Sequence, residues 1–447
     1  MILMRKTYVF ITNEIGNVGG GQLYLRRKAG ALRAAGWRVL IFHFLKRGRV
    51  LPGLEDYQNG FIRGMQIPYG AHTERSRRRW LGEMYAHVVP EIDEGRPEKV
   101  LIESYSPAAS LWGEGFAHYL CEKGIAAINL HYHLLEEVKV RSRAERELMD
   151  FKARHNQLRF INRQVAAAAY PEMDAARMTL WVGFTPGDNI GDVACPALKE
   201  KDNERFTMLM VTRLEKPYVR SSMENISRFA ASHPQSFFDL ILIGGAPSGK
   251  IRREVLAPLR RLRNIKIYEL GYQNPIPRET IEAADVAIAS SGTVWVLGSQ
   301  GLPSIAVDSR SHRSPGIWGE DTMSALRCGE EEPLRDVAAL LEREYSRRRP
   351  GEKRRLKAIP EIATASENDF GSHFRWMEEV EENPGMSDVG NGDIKIKAFG
   401  KETIKNWPGI DKICPESKKE KIFNKILRLN GEKLVYLLKI IGNALGR

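Results

Sequence analysis

Short apolar segments alternate with segments of helical spacing along the first half of the chain. The apolar segments begin at Thr7, Arg38, Lys99 and Ala126, and helical spacing follows the first and third of them. Apolar runs of this length, separated by helices, are typical of a parallel sheet that is covered on both faces. The pattern predicts a doubly wound α/β domain, closed by a long charged helix over residues 136–169.

The second half of the chain repeats this alternation with five further apolar segments. They begin at Phe206, Phe238, Asn264, Asp285 and Pro303, and amphipathic or apolar helical segments lie between most of them. Two doubly wound halves are therefore predicted. Ligands of such sheets bind beyond the carboxyl ends of the strands, so we expect the chemistry in the loops that follow the strands.

Changes in composition set the predicted domain boundaries. Proline, glycine and charged residues gather near the middle of the chain, and the alternation of strands and helices stops at about Met386. We predict an N-terminal Rossmann-like domain at residues 1–185 and an interdomain linker at 186–206. A C-terminal Rossmann-like domain with return helices follows at 207–385, and a polar, basic extension with a helical end at 386–447.

The positive charge is concentrated in the C-terminal extension. From Ser387 to Arg447 there are 13 Lys or Arg and 7 Asp or Glu, so this segment has a net charge of +6, half of the net charge of +12 of the whole chain. Apolar residues recur at three- or four-residue spacing from Ile422 to Leu445, which predicts a basic amphipathic helix. Such a helix binds an anionic membrane surface, or else docks on the protein itself or on a partner. No nucleic-acid-binding motif accompanies it, so nucleic acid is not an expected partner.

No apolar run reaches the length of a membrane-spanning helix. The opening segment from Met1 to Ile11 is typical of a buried strand, since a secretory signal needs a longer apolar region and a cleavage site. We therefore expect a cytoplasmic protein, with peripheral attachment to the inner face of the membrane through the C-terminal helix.

A glycine-rich loop follows the first predicted strand and opens the first helix. Gly20 and Gly21 belong to this loop, where a backbone without Cβ atoms can approach a phosphate at the helix N-terminus. The loop does not have the spacing of the dinucleotide-binding fingerprint. The alternative interpretation is a tight turn that serves packing alone.

The loops of the second half carry further candidate residues. Cationic side chains at strand ends stabilise the negative charge of a bound anion, although such cations are also common on ordinary surfaces. A Ser-Gly-Thr turn can hold a phosphate or cap the helix that follows it. The candidate catalytic cations are Arg213 and Lys216, and the candidate binding residues are Gly244, Gly245, Tyr272, Ser291, Gly292 and Thr293.

His131 and His133 are the candidate groups for proton transfer. They end a predicted strand and alternate, so both imidazoles lie on one face, where either can orient or deprotonate a hydroxyl. Glu14 and Glu103, also at strand ends, are further candidates. For all four residues the alternative is a structural role. The basic runs at residues 74–80 and 344–357 either contact phosphate groups of a lipid or acceptor, or form solvated charged surfaces.

The ordered set of motifs resembles glycosyltransferase family 4. The resemblance extends from about Thr7 to Asp308 and rests on VGGGQLYLRRKAGALRAAGWRVLIF, VTRLEKPYV, LILIGGAP, YELGYQNPIPRETIEAADVAIASS and SSGTVWVLGSQGLPSIAVD. The Ser-Gly-Thr turn is also similar to that of lipid A disaccharide synthase. The chain departs from the family pattern at two places. Trp37 occupies the position of a family histidine. In the family two glutamates bracket the helix after the Ser-Gly-Thr turn, and the second, which contacts the donor ribose, is replaced here by Val296 or Leu297.

The resemblance implies a GT-B fold of two Rossmann-like domains and a sugar donor activated by a nucleoside diphosphate. It places the diphosphate at Arg213 and Lys216 and implies retention of the anomeric configuration. Because the chain contains no Asp-x-Asp, we expect a metal-independent reaction without a cofactor. The leading hypothesis is transfer of a sugar to a glycan or a lipid-linked acceptor. A non-catalytic GT-B-like protein that binds a glycan or nucleotide, and a sugar-nucleotide epimerase, are the alternatives.

Overall fold

A computed structural model provides the structure of the chain. Contacts between residues divide the chain into two units, Met1–Val182 with Asp369–Arg447, and Gly183–Asn368. The structure describes residues 6–16, 19–45, 50–88, 99–134, 143–171, 178–180, 189–199, 201–202, 204–324, 333–349, 352–357 and 370–382. The predicted C-terminal amphipathic helix therefore lies outside the described residues.

The first unit contains a six-stranded sheet in the order β3-β2-β1-β4-β5-β6, and all of its strand pairs are parallel. Most residues of these strands are buried, because both faces of the sheet are covered. Their bounds are β1 (Thr7–Thr12), β2 (Arg38–His43), β3 (Gln58–Phe61), β4 (Lys99–Ser104), β5 (Ala126–His133) and β6 (Leu158–Phe160).

Helices cover both faces of this sheet. The charged segment predicted as one long helix contains two helices with strand β6 between them, because three alternately buried residues at Leu158–Phe160 extend the sheet instead. The helices are α1 (Gly20–Ala34), α2 (Glu74–Val88), α3 (Pro107–Glu122), α4 (Arg143–Arg154), α5 (Arg163–Ala169) and α11 (Gly371–Glu382).

Helix α11 packs on the first unit, although the prediction includes it in the C-terminal domain. Phe370, Trp376, Met377 and Val380 are buried in the same apolar cluster as Tyr8 of β1. The chain thus returns to its first unit after completing the second, which hydrophobic periodicity alone does not reveal.

A buried ion pair joins α1 to the central strand β4. Lys28 Nζ donates to Glu103 Oε2, and both side chains are fully inaccessible to solvent. Tyr8 and Tyr24 donate their hydroxyls to the same carboxylate, at 2.6 and 2.9 Å. Burial lowers the pKa of Lys28, an effect that the negative charge of Glu103 opposes. His373 of α11 completes the cluster, with its Nδ1 3.2 Å from Lys28 Nζ.

Replacing Glu103 by glutamine is expected to destabilise the first unit strongly. The substitution leaves the Lys28 ammonium buried without a countercharge, which costs about 3 kcal/mol in the free energy of unfolding. Chemical denaturation of the variant measures this loss. The control is Glu122→Gln, because the Glu122 side chain is 52% exposed and removing its charge should change little. Equal stability of the two variants would contradict a stabilising role for the buried pair.

The second unit contains a six-stranded sheet in the order β10-β9-β8-β12-β13-β14, parallel except for the last pair. A separate two-stranded sheet pairs β7 with β11. The strand bounds are β7 (Ile190–Gly191), β8 (Phe206–Val211), β9 (Phe238–Ile243), β10 (Ile265–Gly271), β11 (Ile276–Pro277), β12 (Val286–Ala289), β13 (Ser304–Ala306) and β14 (Gly316–Ile317).

The predicted linker 186–206 contains structured residues of the second unit. Ile190, Cys195 and Leu198 are buried in its core, and β7 forms part of its small sheet. The described part of this segment is therefore integral to the unit. The helices of the second unit are α6 (Pro217–Ser232), α7 (Gly249–Arg260), α8 (Arg278–Ala283), α9 (Gly292–Ser299) and α10 (Val337–Ser346).

The basic run at residues 344–357 is largely engaged within the protein. Arg347 donates to Glu320 at 2.7 Å, and Arg354 donates to Glu320 and Glu344. Arg355 donates to the carbonyls of Ile281, Glu282 and Ala284 at the end of α8, at 3.1 to 3.2 Å. Cations at a helix C-terminus satisfy its free carbonyls and interact favourably with its dipole. The structural interpretation of this run therefore fits better than a phosphate-binding one.

Asp321, next to this network, is expected to make stability depend on acidic pH. Arg343, Arg335 and the amide of Ile317 contact its carboxylate, and these contacts hold its pKa well below the usual value against the opposing effect of burial. Because the folded-state pKa lies below the unfolded-state value of about 3.9, this stabilisation is complete above that value and is lost as the pH falls toward the lower one.

Thermal unfolding at a series of pH values tests this contribution. We expect Asp321→Asn to lower the melting temperature at pH 7 and to lose less stability than the wild type between about pH 4 and pH 2. Parallel curves for the two proteins across that interval would contradict the assignment.

Among the helices that the structure describes, none is long and apolar enough to cross a membrane.

Candidate functional site

The order of the strands places a crevice at the carboxyl edge of the second unit's sheet. From β8 the chain continues outward to β9 and β10, and then returns to β12 on the other side of β8. The strand order therefore reverses between β8 and β12. In open α/β sheets, ligands bind at this switch point, outside the carboxyl ends of the strands.

Arg213 and Lys216 lie in the turn that follows β8, beside this crevice. The Lys216 amide donates to the Arg213 carbonyl at 3.2 Å, and Lys216 immediately precedes the first residue of α6. The Arg213 side chain is 37% exposed, and its guanidinium lies 3.5 Å from Glu215. Tyr218 supports the turn, with its hydroxyl 2.7 Å from Thr212 Oγ1. The structure thus brings both predicted cations to the predicted edge.

The two glycines after β9 allow three strand ends to approach one another. Gly244 has φ 132°, and a Cβ atom there would lie 1.8 Å from the Thr212 carbonyl oxygen. A Cβ atom on Gly245 would lie 2.5 Å from the ring of Tyr272, which follows β10. Only glycine satisfies the position of Gly244, whereas a side chain at position 245 would displace the ring of Tyr272. As a result, the exposed ring of Tyr272 lies directly against the backbone of Gly245.

The turn between β12 and α9 has an unusual backbone conformation at Ser291. This residue has φ 64° and ψ −146°, a region that residues other than glycine rarely occupy. Its side chain is exposed and makes no capping hydrogen bond to the helix. Ser291 therefore does not act as the predicted cap. Gly292 and Thr293 form the first turn of α9, whose N-terminal amides and positive dipole end suit an anion.

Val296 and Leu297 are buried on the core side of α9. Val296 is 4% exposed and Leu297 is 0% exposed, and both belong to the apolar cluster that includes Trp318. Neither side chain can accept a hydrogen bond. The apolar residues at these two positions are therefore part of the core packing of α9.

A basic loop that the sequence analysis did not single out follows β13, the neighbour of β12. Asp308 Oδ1 accepts hydrogen bonds from the amides of Arg310 and Ser311, at 3.0 and 2.6 Å. The Asp308 amide donates to the Arg313 carbonyl at 2.8 Å, which closes the loop. Arg310 and Arg313 are exposed. The pKa of Asp336 is lowered mainly by its hydrogen bond from Arg228, and the positive charge of Arg313 adds to this effect. In the sequence, this basic loop is indicated by the three basic residues of SRSHRS.

In the first unit, the strand order reverses between β1 and β4, and α1 begins in the loop after β1. Cβ atoms added to Gly20 and Gly21 would meet nothing within 4 Å. These two glycines are therefore not required for packing. Gly19 at the N-cap of α1 has no side chain that could cap the helix, which is compatible with the phosphate-binding interpretation.

The structure brings His131 and His133 together but buries both. Their ring nitrogens Nε2 and Nδ1 are 3.0 Å apart, and both side chains are 0% exposed. Burial, together with the charges of His133 and Lys152, holds the pKa of His131 well below its usual value. A general base must come within hydrogen-bonding distance of its substrate, so this placement does not support the predicted catalytic role.

The two glutamates proposed as further candidates have different environments. Glu103 belongs to the buried ion pair with Lys28, so its role is structural. Glu14 lies just beyond β1 and is only partly buried, and its carbonyl accepts a hydrogen bond from Gln22 at 3.3 Å. Of the predicted acidic candidates, only Glu14 therefore lies at the edge where α1 begins.

Several solved structures share the overall fold. Sucrose-phosphate synthase from Thermosynechococcus elongatus is 16% identical and covers 85% of this chain and 99% of its own, with a TM-score of 0.55. A glycosyltransferase from Rickettsia africae ESF-5 is 13% identical over 90% of this chain and 100% of its own, with a TM-score of 0.51. The chain has the GT-B fold.

A third structure is the catalytic domain of starch synthase IV from Arabidopsis thaliana, bound to ADP and acarbose. It is 11% identical over 85% of this chain and 99% of its own, with a TM-score of 0.50. No protein-family model and no curated protein sequence matches the chain. The predicted arrangement of two Rossmann-like domains is confirmed by the GT-B fold, whereas family 4 membership remains a prediction.

Proposed function

We propose that this protein is a glycosyltransferase that transfers a sugar from a nucleoside diphosphate to a glycan or a lipid-linked acceptor, with retention and without a metal ion. The observation that carries the proposal is the composition of the crevice between β8 and β12. Arg213 lies on one side of it, and the exposed Ser291 and the uncapped N-terminus of α9 lie on the other. These groups are suited to a diphosphate.

The charges at this edge suit the departure of a nucleoside diphosphate. As the bond between the sugar and the phosphate breaks, negative charge grows on the phosphate oxygens. Arg213 and Lys216 supply positive charge, and α9 supplies amide donors that are already oriented. Groups that are fixed before the reaction stabilise this charge without reorganising, so Arg213 is assigned to transition-state stabilisation.

The length of the sheet edge fits an extended nucleotide sugar. Four strand spacings separate β10 from β13, which is about 19 Å at roughly 4.8 Å for each pair. We assign the nucleobase to the exposed ring of Tyr272, since aromatic rings stack on bases, and the diphosphate to the central crevice. The sugar then extends toward Arg310 in the loop after β13.

The buried Val296 favours one alternative, a GT-B-like protein that binds a glycan or a nucleotide without catalysis. A donor ribose receives no carboxylate contact from Val296 or Leu297, so another group must hold it or donor binding is weak. The ADP present in the starch synthase structure supports a nucleotide ligand under either function.

An assay of donors and acceptors separates these functions. The purified protein is incubated with a panel of nucleotide sugars and membrane-derived acceptors, and mass spectrometry detects glycosylated products and released nucleotide. Transfer that persists in EDTA supports the proposal. Binding of nucleotide diphosphate without turnover supports the non-catalytic alternative. Release of nucleotide diphosphate without any acceptor supports the epimerase. No binding to any nucleotide sugar would overturn the proposal.

A further inference from the structure

The turn after β8 carries an acidic residue that the proposed function does not use. Glu215 immediately precedes Lys216, and its side chain is 32% exposed. The described loops that follow β8, β9, β10 and β12 contain no other acidic residue. A carboxylate beside a diphosphate site repels the anion, which weakens its binding unless the same carboxylate makes a favourable contact with another part of the ligand.

The position of this turn is fixed by the core and by the neighbouring strand end. Leu214 is 2% exposed in an apolar cluster of the second unit, and its amide donates to the Gly245 carbonyl at 2.9 Å. Glu215 follows Leu214 directly, about 3.8 Å further along the backbone. The ring of Tyr272 lies against Gly245 from the side of β10. Glu215 and Tyr272 therefore flank the backbone of Gly245.

The proposed positions of the base and the diphosphate place the donor ribose beside this turn. The base lies at Tyr272, after β10, and the diphosphate between β8 and β12. A ribose that joins the two passes the ends of β9 and β8. Its hydroxyl groups need hydrogen-bond acceptors, whereas the side chains of Arg213 and Lys216 and the first amides of α9 can only donate.

The Glu215 carboxylate supplies acceptors of the kind that ribose hydroxyls need. An ionised carboxylate accepts hydrogen bonds at both oxygens and donates none. Among the described residues, its one polar partner is the Arg213 guanidinium at 3.5 Å, which is longer than an ordinary hydrogen bond. Its lone pairs are therefore available to a ligand. The same guanidinium offsets the repulsion between the carboxylate and a diphosphate.

We propose that Glu215 binds the donor ribose by accepting hydrogen bonds from its hydroxyl groups. The protein thereby selects donors carried on a ribonucleotide over donors carried on a 2′-deoxyribonucleotide. The inference rests on the proposed function, which assigns the base and the diphosphate to their places. It gives the crevice the acceptor that Val296 and Leu297 do not provide. If Glu215 only oriented Arg213, the two kinds of nucleotide would not be distinguished.

Calorimetric titration with paired ligands tests the role of Glu215. The ligands are the tightest binder among uridine, adenosine, guanosine and cytidine diphosphate, and its 2′-deoxy analogue. We expect the analogue to bind the wild type roughly tenfold more weakly, since it lacks a hydrogen bond to a charged acceptor. In Glu215→Ala the ratio of the two Kd values should fall below about twofold, because that acceptor is gone. The ratio cancels effects that both ligands share, such as a displaced Arg213.

The matched control is Glu224→Ala, which removes the same charge from α6. Glu224 is 56% exposed and also lies 3.5 Å from an arginine, Arg220. We expect this variant to keep the wild-type ratio. Equal affinities of the wild type for both ligands, or a ratio that persists in Glu215→Ala, would overturn the proposal. Circular dichroism confirms that each variant is folded.

The same titrations separate this proposal from the proposed function. If no nucleoside diphosphate binds, both are overturned. If nucleoside diphosphates bind but the donor panel shows no sugar transfer, the transferase function fails, and the ratio of the two Kd values still decides whether Glu215 holds the ribose.

Discussion

Replacing Arg213 by glutamine is expected to lower kcat/KM for the sugar donor about a hundredfold. Removing one preorganised donor from a developing negative charge typically has an effect of this size. Arg213 is 37% exposed and contacts only Glu215 among the acids that the structure reports around it, so its loss should change the melting temperature little. Steady-state kinetics with the donor identified by the panel assay measures the change.

The control for this prediction is Arg220→Gln. Arg220 lies on α6 near the same edge, its side chain is 75% exposed, and its contact is a weak ion pair with Glu224 at 3.5 Å. If both variants lose activity equally, general electrostatic attraction explains the effect and the assignment of Arg213 is wrong. An Arg213→Gln variant that is folded and active would also contradict the assignment of Arg213.

Replacing Gly244 by alanine is expected to destabilise the second unit by at least about 3 kcal/mol and to abolish donor binding. The new Cβ atom would lie 1.8 Å from the Thr212 carbonyl oxygen, and φ of 132° is unfavourable for any side chain. The backbone must then move at the turn that carries Arg213. Denaturation experiments together with calorimetric titration of a nucleoside diphosphate measure both effects.

Gly249→Ala provides the matched comparison within the same βα connection. Gly249 begins α7, and a Cβ atom there would meet only Arg253 Nη1, at the ordinary distance of 3.8 Å. We expect this variant to keep the stability and the nucleotide affinity of the wild type. If Gly244→Ala behaves in the same way, the close approach of the strand ends has no role in holding the site.

The sequence was sufficient to predict nine of the twelve strands that the structure describes in the two six-stranded sheets, but not β3, β6 and β14. Segments such as Thr7–Thr12 and Phe206–Val211 are continuous apolar runs between loops, and a run of this type has few alternatives to a buried strand. The carboxyl-edge positions of Arg213, Gly244 and Ser291 follow from those strands once the sheet order is known.

Other features depend on contacts between distant parts of the chain. The return of α11 to the first unit is determined by where Trp376 and Val380 are buried, which spacing along the helix does not specify. The pairing of Arg347 and Arg354 with Glu320 is equally invisible in a run of like charges. For His131 and His133, alternation correctly predicts a shared face, but not that both rings are enclosed.

A crystal structure of the protein with a nucleoside diphosphate tests the proposed donor site. We expect density for the diphosphate between β8 and β12, within hydrogen-bonding distance of the Arg213 guanidinium and the first amides of α9, with the base toward Tyr272. Density for the diphosphate at another site, or no bound nucleotide at millimolar concentrations of each common nucleoside diphosphate, would contradict it.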